Sequence, residues 1–256
     1  MRAPHSELPA ITADILGRLR RRRPRVHCIT NAVAQAFTAN MLLAAGAVPS
    51  MTIARKEVRA FVAGADALLV NLGTFDPERQ QASVAAVAAA NKAGTPWVLD
   101  PVFIDRSRPR EAFAKTLVAK RPSAVRLNRA EFGALSGGQS DDQALARYAK
   151  ARRTVIGLTG ARDLVRDQSR LAIIANGHPL MARVTAMGCA ASALVAACLA
   201  VETDAWRATA AGLILIGVAG EIAGSRARGP GSFAIEILDA LYGLDPDTLM
   251  ARARVS

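Results

Sequence analysis

Apolar positions along this chain recur with two alternating periods. Leu8, Ile11, Ile15, Leu16 and Leu19 fall at helical spacing and predict an amphipathic first helix that ends before Pro24. A short apolar run at 26–29 predicts a strand. After it, TNAVAQAFTANMLLAAGA returns to the helical period, with Thr30 or Asn31 as N-cap and Gly46 at the position just past the helix. The alternation continues with strands at 48–52, 67–72, 96–99, 124–127 and 154–158. Helices at 56–63, 77–92, 129–135 and 141–152 lie between them.

Strands alternating with helices predict a mostly parallel sheet covered on both faces. Between 163 and 183 the segments DLVRD, RLAIIANG and PLMARV are short, alternating and separated by turn residues, which predicts a small antiparallel edge. The remainder reads as helix at 184–201, 205–223, 233–242 and 246–253. No internal repeat or low-complexity linker interrupts the pattern, so residues 1–256 are expected to form one α/β domain.

The segment 184–201, VTAMGCAASALVAACLAV, has the form of a turn of small residues running into an apolar helix. Free N–H groups at a helix start carry partial positive charge and suit a phosphate or a developing oxyanion. Cys189 falls in the first turn, where the helix field lowers a thiol's pKa. The same stretch also reads as a buried helix in which Cys189 is a small core residue.

In an open parallel sheet, ligands bind beyond the strand carboxyl ends. The polar or turn residues there are Thr30 and Asn31, Met51 and Thr52, Asn71, Gly73 and Thr74, Asp100, Asn128, and Thr159 with Gly160. Asn128 followed three residues later by Glu131 can hold a hydrated Mg²⁺ from one side of a first helical turn, or close that turn as a capping box. Spacing alone does not separate the two. No Walker sequence, no Gly-x-Gly-x-x-Gly and no metal-spaced His/Cys cluster is present. His27 and His178 are isolated and read as structural.

Composition narrows the classes. Hydrophobic content of 51% with 4% aromatic residues implies a core of Ala, Val, Leu and Ile. The 3 cysteines are far apart and odd in number, which argues against a disulfide framework and for a reducing, cytoplasmic setting. The stretch MRAPHSELPA has no apolar h-region, so no secretory signal is expected. The most apolar run, 210–223, contains Glu221 and is read as too short to span a bilayer. A net charge of +12 raises nucleic acid as a partner. The only dense basic run is RLRRRRPR at 18–25, without interleaved aromatics, so a basic surface attractive to anionic small molecules is expected instead.

Seven segments, in order, resemble the hydroxyethylthiazole kinase family: VHCITNAVAQAFTANMLLAAGAVPSM at 26–51, NLGT at 71–74, LDPV at 99–102, VRLNRAEF at 125–132, LTG at 158–160, VTAMGC at 184–189 and GPGSFAIEILDAL at 229–241. The resemblance covers nearly the whole chain. It implies a ribokinase-like α/β/α fold, a homotrimer with sites between subunits, and transfer of the ATP γ-phosphoryl group to the alcohol of 4-methyl-5-(2-hydroxyethyl)thiazole. Carried over by motif, Arg126 and Thr159 contact ATP, Asn31, Met51 and the backbone at Ala186 line the thiazole site, and Glu131 with Asn128 and Asp100 organises Mg²⁺ through water. Cys189 stands where related sugar kinases carry an aspartate base.

Three departures accompany the match. Phe103-Ile104-Asp105-Arg106 replaces a Gly-rich segment, Ala186 replaces a turn glycine, and Ala161 replaces an acidic residue after Thr-Gly. A positive φ at Ala186 would be strained. The same departures suit a kinase of another small alcohol, or a non-catalytic paralogue that binds nucleotide or thiazole.

Overall fold

The computed structural model describes residues 4–138 and 140–256. Residues 1–3, part of the stretch read for a leader, lie outside the described residues. Eight strands form one sheet in the order β2-β1-β3-β4-β5-β6-β7-β8. They are β1 (Arg25–Ile29), β2 (Val48–Ser50), β3 (Ala67–Asn71), β4 (Trp97–Asp100), β5 (Ala124–Asn128), β6 (Val155–Thr159), β7 (Asp163–Arg166) and β8 (Leu171–Ile174). The pairings from β2 to β6 are parallel, and β6-β7-β8 is antiparallel.

The two-residue period of the strands sends alternate side chains into separate cores. On β3, Ala67 and Leu69 join one cluster and Leu68 and Val70 the other. The first cluster is covered by α1 (Leu8–Arg22), α2 (Gln35–Ala45), α8 (Met187–Leu199), α9 (Ala205–Arg226), α10 (Pro230–Tyr242) and α11 (Pro246–Arg252). The second is covered by α3 (Val58–Ala63), α4 (Pro77–Ala93), α5 (Arg108–Val118), α6 (Arg129–Ser136) and α7 (Asp142–Arg152). This is the three-layer ribokinase-like arrangement expected from the sequence. Asp76, Asp141 and Asp204 cap α4, α7 and α9 through their side chains.

Helix α5 is absent from the hydrophobic pattern. Its sequence RPREAFAKTLV is rich in charge, and only Ala114, Leu117 and Val118 are buried, a stripe too narrow to read as periodic. The antiparallel edge has two strands rather than three alternating segments. PLMARV contributes a 3₁₀ turn, Pro179–Arg183, because proline opens that turn and His178 caps it by accepting the Leu180 N–H. Helix α10 begins at Pro230, ahead of the expected 233, since proline is well placed in a first helical turn.

Helix α9 also exceeds the expected run and is long enough to cross a membrane by length and composition, which corrects the sequence reading. The apolar run was counted up to its flanking polar residues, whereas the helix continues through them. The protein itself buries 78% of its apolar window, so its hydrophobic faces are satisfied by packing. Basic residues of the 18–25 run also serve internal ties. Arg18 pairs with Glu202 at 2.8 Å, and Arg20 donates to the carbonyls of Leu241 and Tyr242.

Candidate active site

The parallel register sets Asn71 opposite Asp100 and Asn128 opposite Thr159, so residues remote in sequence meet at one edge of the sheet. Asn71 Nδ2 donates to Asp100 Oδ2 at 2.8 Å. Ser192 Oγ, from α8, donates to the same oxygen at 2.8 Å. Asp100 is 1% exposed. Burial pushes its carboxyl up to about 6, against the pull of Arg126. Its other oxygen, Oδ1, has no hydrogen-bond partner, although Arg126 Nη1 stands 3.9 Å away.

Arg126 Nη2 donates to Thr159 Oγ1 at 2.6 Å. Its guanidinium lies against the start of α8, where a Cβ at Gly188 would come within 2.7 Å of Nη1. Glycine is therefore what lets the guanidinium and the helix start share one place. Cys189 is 8% exposed, and its Sγ accepts a hydrogen bond from Asn31 Nδ2 at 3.1 Å. Burial, and then the Asp100 charge, push this thiol up to about 12. The expected lowering by the helix field is thus overturned, because desolvation of the thiolate outweighs a partial charge at the helix start.

Ala186 adopts φ 68° and ψ −1°, a left-handed turn that favours glycine, and α8 has no side-chain cap. The strain anticipated for alanine here is present. The start of α6 is built in the opposite way. Asn128 Oδ1 accepts the Glu131 N–H at 2.9 Å while Glu131 Oε2 accepts the Asn128 N–H at 2.8 Å. Glu131 Oε1 also takes the Phe103 N–H at 3.0 Å. The capping-box reading of Asn128 and Glu131 is therefore realised. Phe103 is half-exposed with φ 59°, a second non-glycine in left-handed backbone beside the site.

Among the described residues no three His, Cys, Asp or Glu side chains gather to hold a metal directly. The free Asp100 Oδ1 is nevertheless a buried acceptor of the kind that a hydrated cation satisfies. Thr30 Oγ1, Asn31 Oδ1 and Arg126 Nε are likewise buried without a partner. These four atoms belong to residues at or just beyond the ends of β1 and β4 and to Arg126 within β5. Each unsatisfied group costs about 1–3 kcal/mol.

A cavity of about 610 Å³ adjoins this region, lined by Arg126, Thr159, Asp163, Asn176, His178 and Gly188 among others. Ala161 also lines it. Asp163, not singled out by sequence, accepts the Gly160 N–H at 2.9 Å, and burial pushes its carboxyl up to about 6. A carboxylate three residues beyond a turn glycine was the available signal. Ser192 was visible only as one small residue of an apolar helix. Met51 stands apart, half-buried beyond β2 at the sheet edge. Its neighbours are held by His27, which contacts Ser50 Oγ at 2.8 Å and the Thr52 carbonyl at 3.0 Å, a structural role as expected. His178 is likewise structural, as the cap of its 3₁₀ turn.

The chain is similar to known proteins over nearly its full length. A probable hydroxyethylthiazole kinase of Agrobacterium fabrum is 44% identical over 96% of this chain and 95% of its own. A hydroxyethylthiazole kinase of Granulibacter bethesdensis is 46% identical over 95% of this chain and 93% of its own. The structure of a hydroxyethylthiazole kinase protein from Pyrococcus horikoshii OT3 superposes with a TM-score of 0.93 at 35% identity, covering 96% of this chain and 98% of that one. Bacillus subtilis pyridoxal kinase, in an ADP complex, superposes with a TM-score of 0.56 at 18% identity over 76% of this chain and 90% of its own, a likeness of fold. The profile described as Hydroxyethylthiazole kinase family matches residues 16–247, and the chain belongs to that family.

Proposed function

We propose that this protein transfers the γ-phosphoryl group of ATP to the primary alcohol of 4-methyl-5-(2-hydroxyethyl)thiazole, a step of thiamine biosynthesis and salvage. The observation that carries the reading is the set of buried, unpartnered polar atoms of Asn31, Asp100 and Arg126 around the uncapped start of α8. Phosphoryl transfer asks the protein for positioning and charge neutralisation. In this reading, ATP occupies the 610 Å³ cavity with Arg126 and Thr159 on its phosphates. The N–H groups of Met187, Gly188 and Cys189 face the transferred group.

Asn31 Oδ1 accepts the alcohol proton as a hydrogen bond, and Cys189 packs against the attacking oxygen as a neutral thiol. The new bond joins that oxygen to phosphorus, and the bond to the ADP oxygen breaks. In so loose a transition state the alcohol proton leaves late, passing to an oxygen of the transferred phosphoryl group and from it to solvent, so little is asked of a protein base. Mg²⁺ would be held through water by Asp100 Oδ1, with Glu131 and Asn128 behind it, and when bound neutralises phosphate charge. Each Glu131 oxygen already accepts one N–H, which leaves its second lone pair for such a water.

The homotrimer belongs to the same proposal. It is supported by Val33, 76% exposed two residues beyond Asn31, and by half-exposed Phe61 beside His27 near Met51. A sheet unbroken from β2 to β8 supports reading residues 1–256 as one kinase unit. Three free cysteines suit a cytoplasmic setting. The test is Mg²⁺-dependent ADP release by the purified protein with the thiazole, with hydroxymethylpyrimidine, with a pentose and with no acceptor. Release with the thiazole alone is expected. Release with another acceptor alone would contradict the substrate, and ATP binding without release would contradict turnover.

A further inference from the structure

One wall of the cavity is a loop, residues 175–182, that has little secondary structure of its own beyond its 3₁₀ turn. It is bedded on one face of α9 where three glycines follow at helical spacing. A Cβ at Gly217 would stand 2.9 Å from Asn176 Cβ, one at Gly220 would stand 2.7 Å from Met181 Sδ, and one at Gly224 would collide with the His178 ring. Absence of side chains brings the loop onto the helix backbone, but it supplies no attachment.

The attachment comes from Glu221, the lone carboxylate of α9. Its Oε1 accepts Asn176 Nδ2 at 3.0 Å, the Gly177 N–H at 3.1 Å and a donor from Arg254 Nη2. Residues 252–256 complete the clamp. Asn176 Nδ2 also donates to the Arg252 carbonyl at 2.8 Å, Asn176 Oδ1 accepts the Arg254 N–H at 2.7 Å, and Arg254 Nη2 donates to the Ala175 carbonyl at 2.8 Å. Val255 pairs with Ile174 as an antiparallel bridge, and Ser256 exchanges backbone hydrogen bonds with Ile173. Every polar atom of the Asn176 side chain is thus spent on holding the wall, and none of the Glu221 or Arg254 contacts reaches the reacting groups.

We infer that Glu221 and Arg254 are positioning residues for nucleotide binding, acting through Asn176 to fix the 175–182 wall. This rests on the reading of the cavity as the ATP site. The physical reason is preorganisation: a loop fixed before binding loses less conformational freedom when ATP enters. Removing a charge-assisted tie then weakens ATP binding without touching the chemical step.

The experiment measures kcat, KM for ATP, KM for the thiazole and the thermal midpoint in the full chain. Arg254→Ala is expected to raise KM for ATP about tenfold, the usual effect of one lost charged hydrogen bond. kcat and the thiazole KM should stay within about twofold. Arg254→Lys, which restores one donor, should recover most of the loss. Arg126→Ala serves as the reference for the cavity itself. If Arg126→Ala weakens ATP binding and Arg254→Ala leaves KM for ATP within about twofold, the positioning role is overturned. A fall of kcat and of the thermal midpoint together with a similar rise in both KM values in Arg254→Ala would also overturn it, as a purely structural defect. If Arg126→Ala leaves KM for ATP unchanged, the ATP reading of the cavity fails first, and the inference with it.

Discussion

The starts of α6 and α8 face the same region, yet they are finished in opposite ways. Asn128 and Glu131 accept each other's backbone N–H groups, and the Phe103 N–H donates to the other Glu131 oxygen, so the first turn of α6 is closed. The first turn of α8 has no side-chain cap, and it is reached through a left-handed alanine. Side-chain caps satisfy the free N–H groups of a helix start, and α1, α2, α3 and α5 do without one as α8 does. The open start of α8 lies among buried, unpartnered polar atoms, and in the proposed function it takes a ligand's negative charge. A carboxylate at the start of α6 and bare N–H groups at the start of α8 therefore divide the work: the first would hold the cation's water shell, the second the phosphoryl oxygens.

The largest effect that can break this division is expected from Arg126→Ala. It removes the cation beside the α8 start and should raise KM for ATP on the order of 100-fold, as steady-state kinetics would read, since a charged hydrogen-bonding partner is worth about 1.5–3 kcal/mol. Retained ATP affinity would mean that the helix start works alone. Next comes Cys189→Ala. With a neutral thiol against the alcohol, kcat should fall about tenfold while KM for ATP hardly moves; a loss of ATP binding would mark the cysteine as structural.

Asn128→Ala opens the closed start. Denaturant unfolding should show a loss of about 1 kcal/mol, with turnover reduced less than by Cys189→Ala. Ala186→Gly is the smallest change. Relief of about 1–2 kcal/mol of left-handed strain is offset by roughly 0.4–1 kcal/mol of extra unfolded-state freedom. Stability should therefore rise by roughly 0–1.6 kcal/mol, with activity kept or raised. A large loss of activity would show that the methyl group is part of the substrate surface.

Asp163 lines the cavity and accepts the Gly160 N–H. Its folded pKa is raised to about 6 by burial, so between the ordinary aspartate value near 4 and about 6 the folded state binds more protons than the unfolded one. Stability contributed by this group is present at low pH and is lost as pH rises through that window. Relative to wild type, Asp163→Asn should thus gain stability between pH 4 and pH 6, on the order of 1 kcal/mol, in thermal scans across pH. A difference that stays flat with pH would contradict the burial account.

Much of this was legible in the sequence because parallel topology is regular. Once strands alternate with helices, Asn31, Asp100, Arg126 and Thr159 must emerge at the same edge. The capping box was legible as a spacing shared with a hydrated-Mg²⁺ reading, and its hydrogen bonds are seen only in the folded positions of Asn128, Glu131 and Phe103. What escaped depends on tertiary contact. Ser192 matters because α8 packs its middle against the end of β4, and no local pattern encodes that. The Asn176–Glu221–Arg254 tie joins residues 45 and 78 positions apart. For Cys189 both a helix-start thiol and a buried core residue were legible, and which of the two sets its pKa depended on how deeply the fold buries it.

The central claim is that the open start of α8, and not the closed start of α6, receives the phosphoryl group. It is tested most directly by backbone amide chemical shifts of the full protein, recorded as a non-hydrolysable ATP analogue is added with Mg²⁺ and the thiazole. Large downfield shifts at Met187, Gly188 and Cys189, with the Asn128 and Glu131 amides nearly still, are predicted. Still amides at Met187 to Cys189 under saturating nucleotide, or the largest shifts at Asn128 and Glu131, would contradict the account.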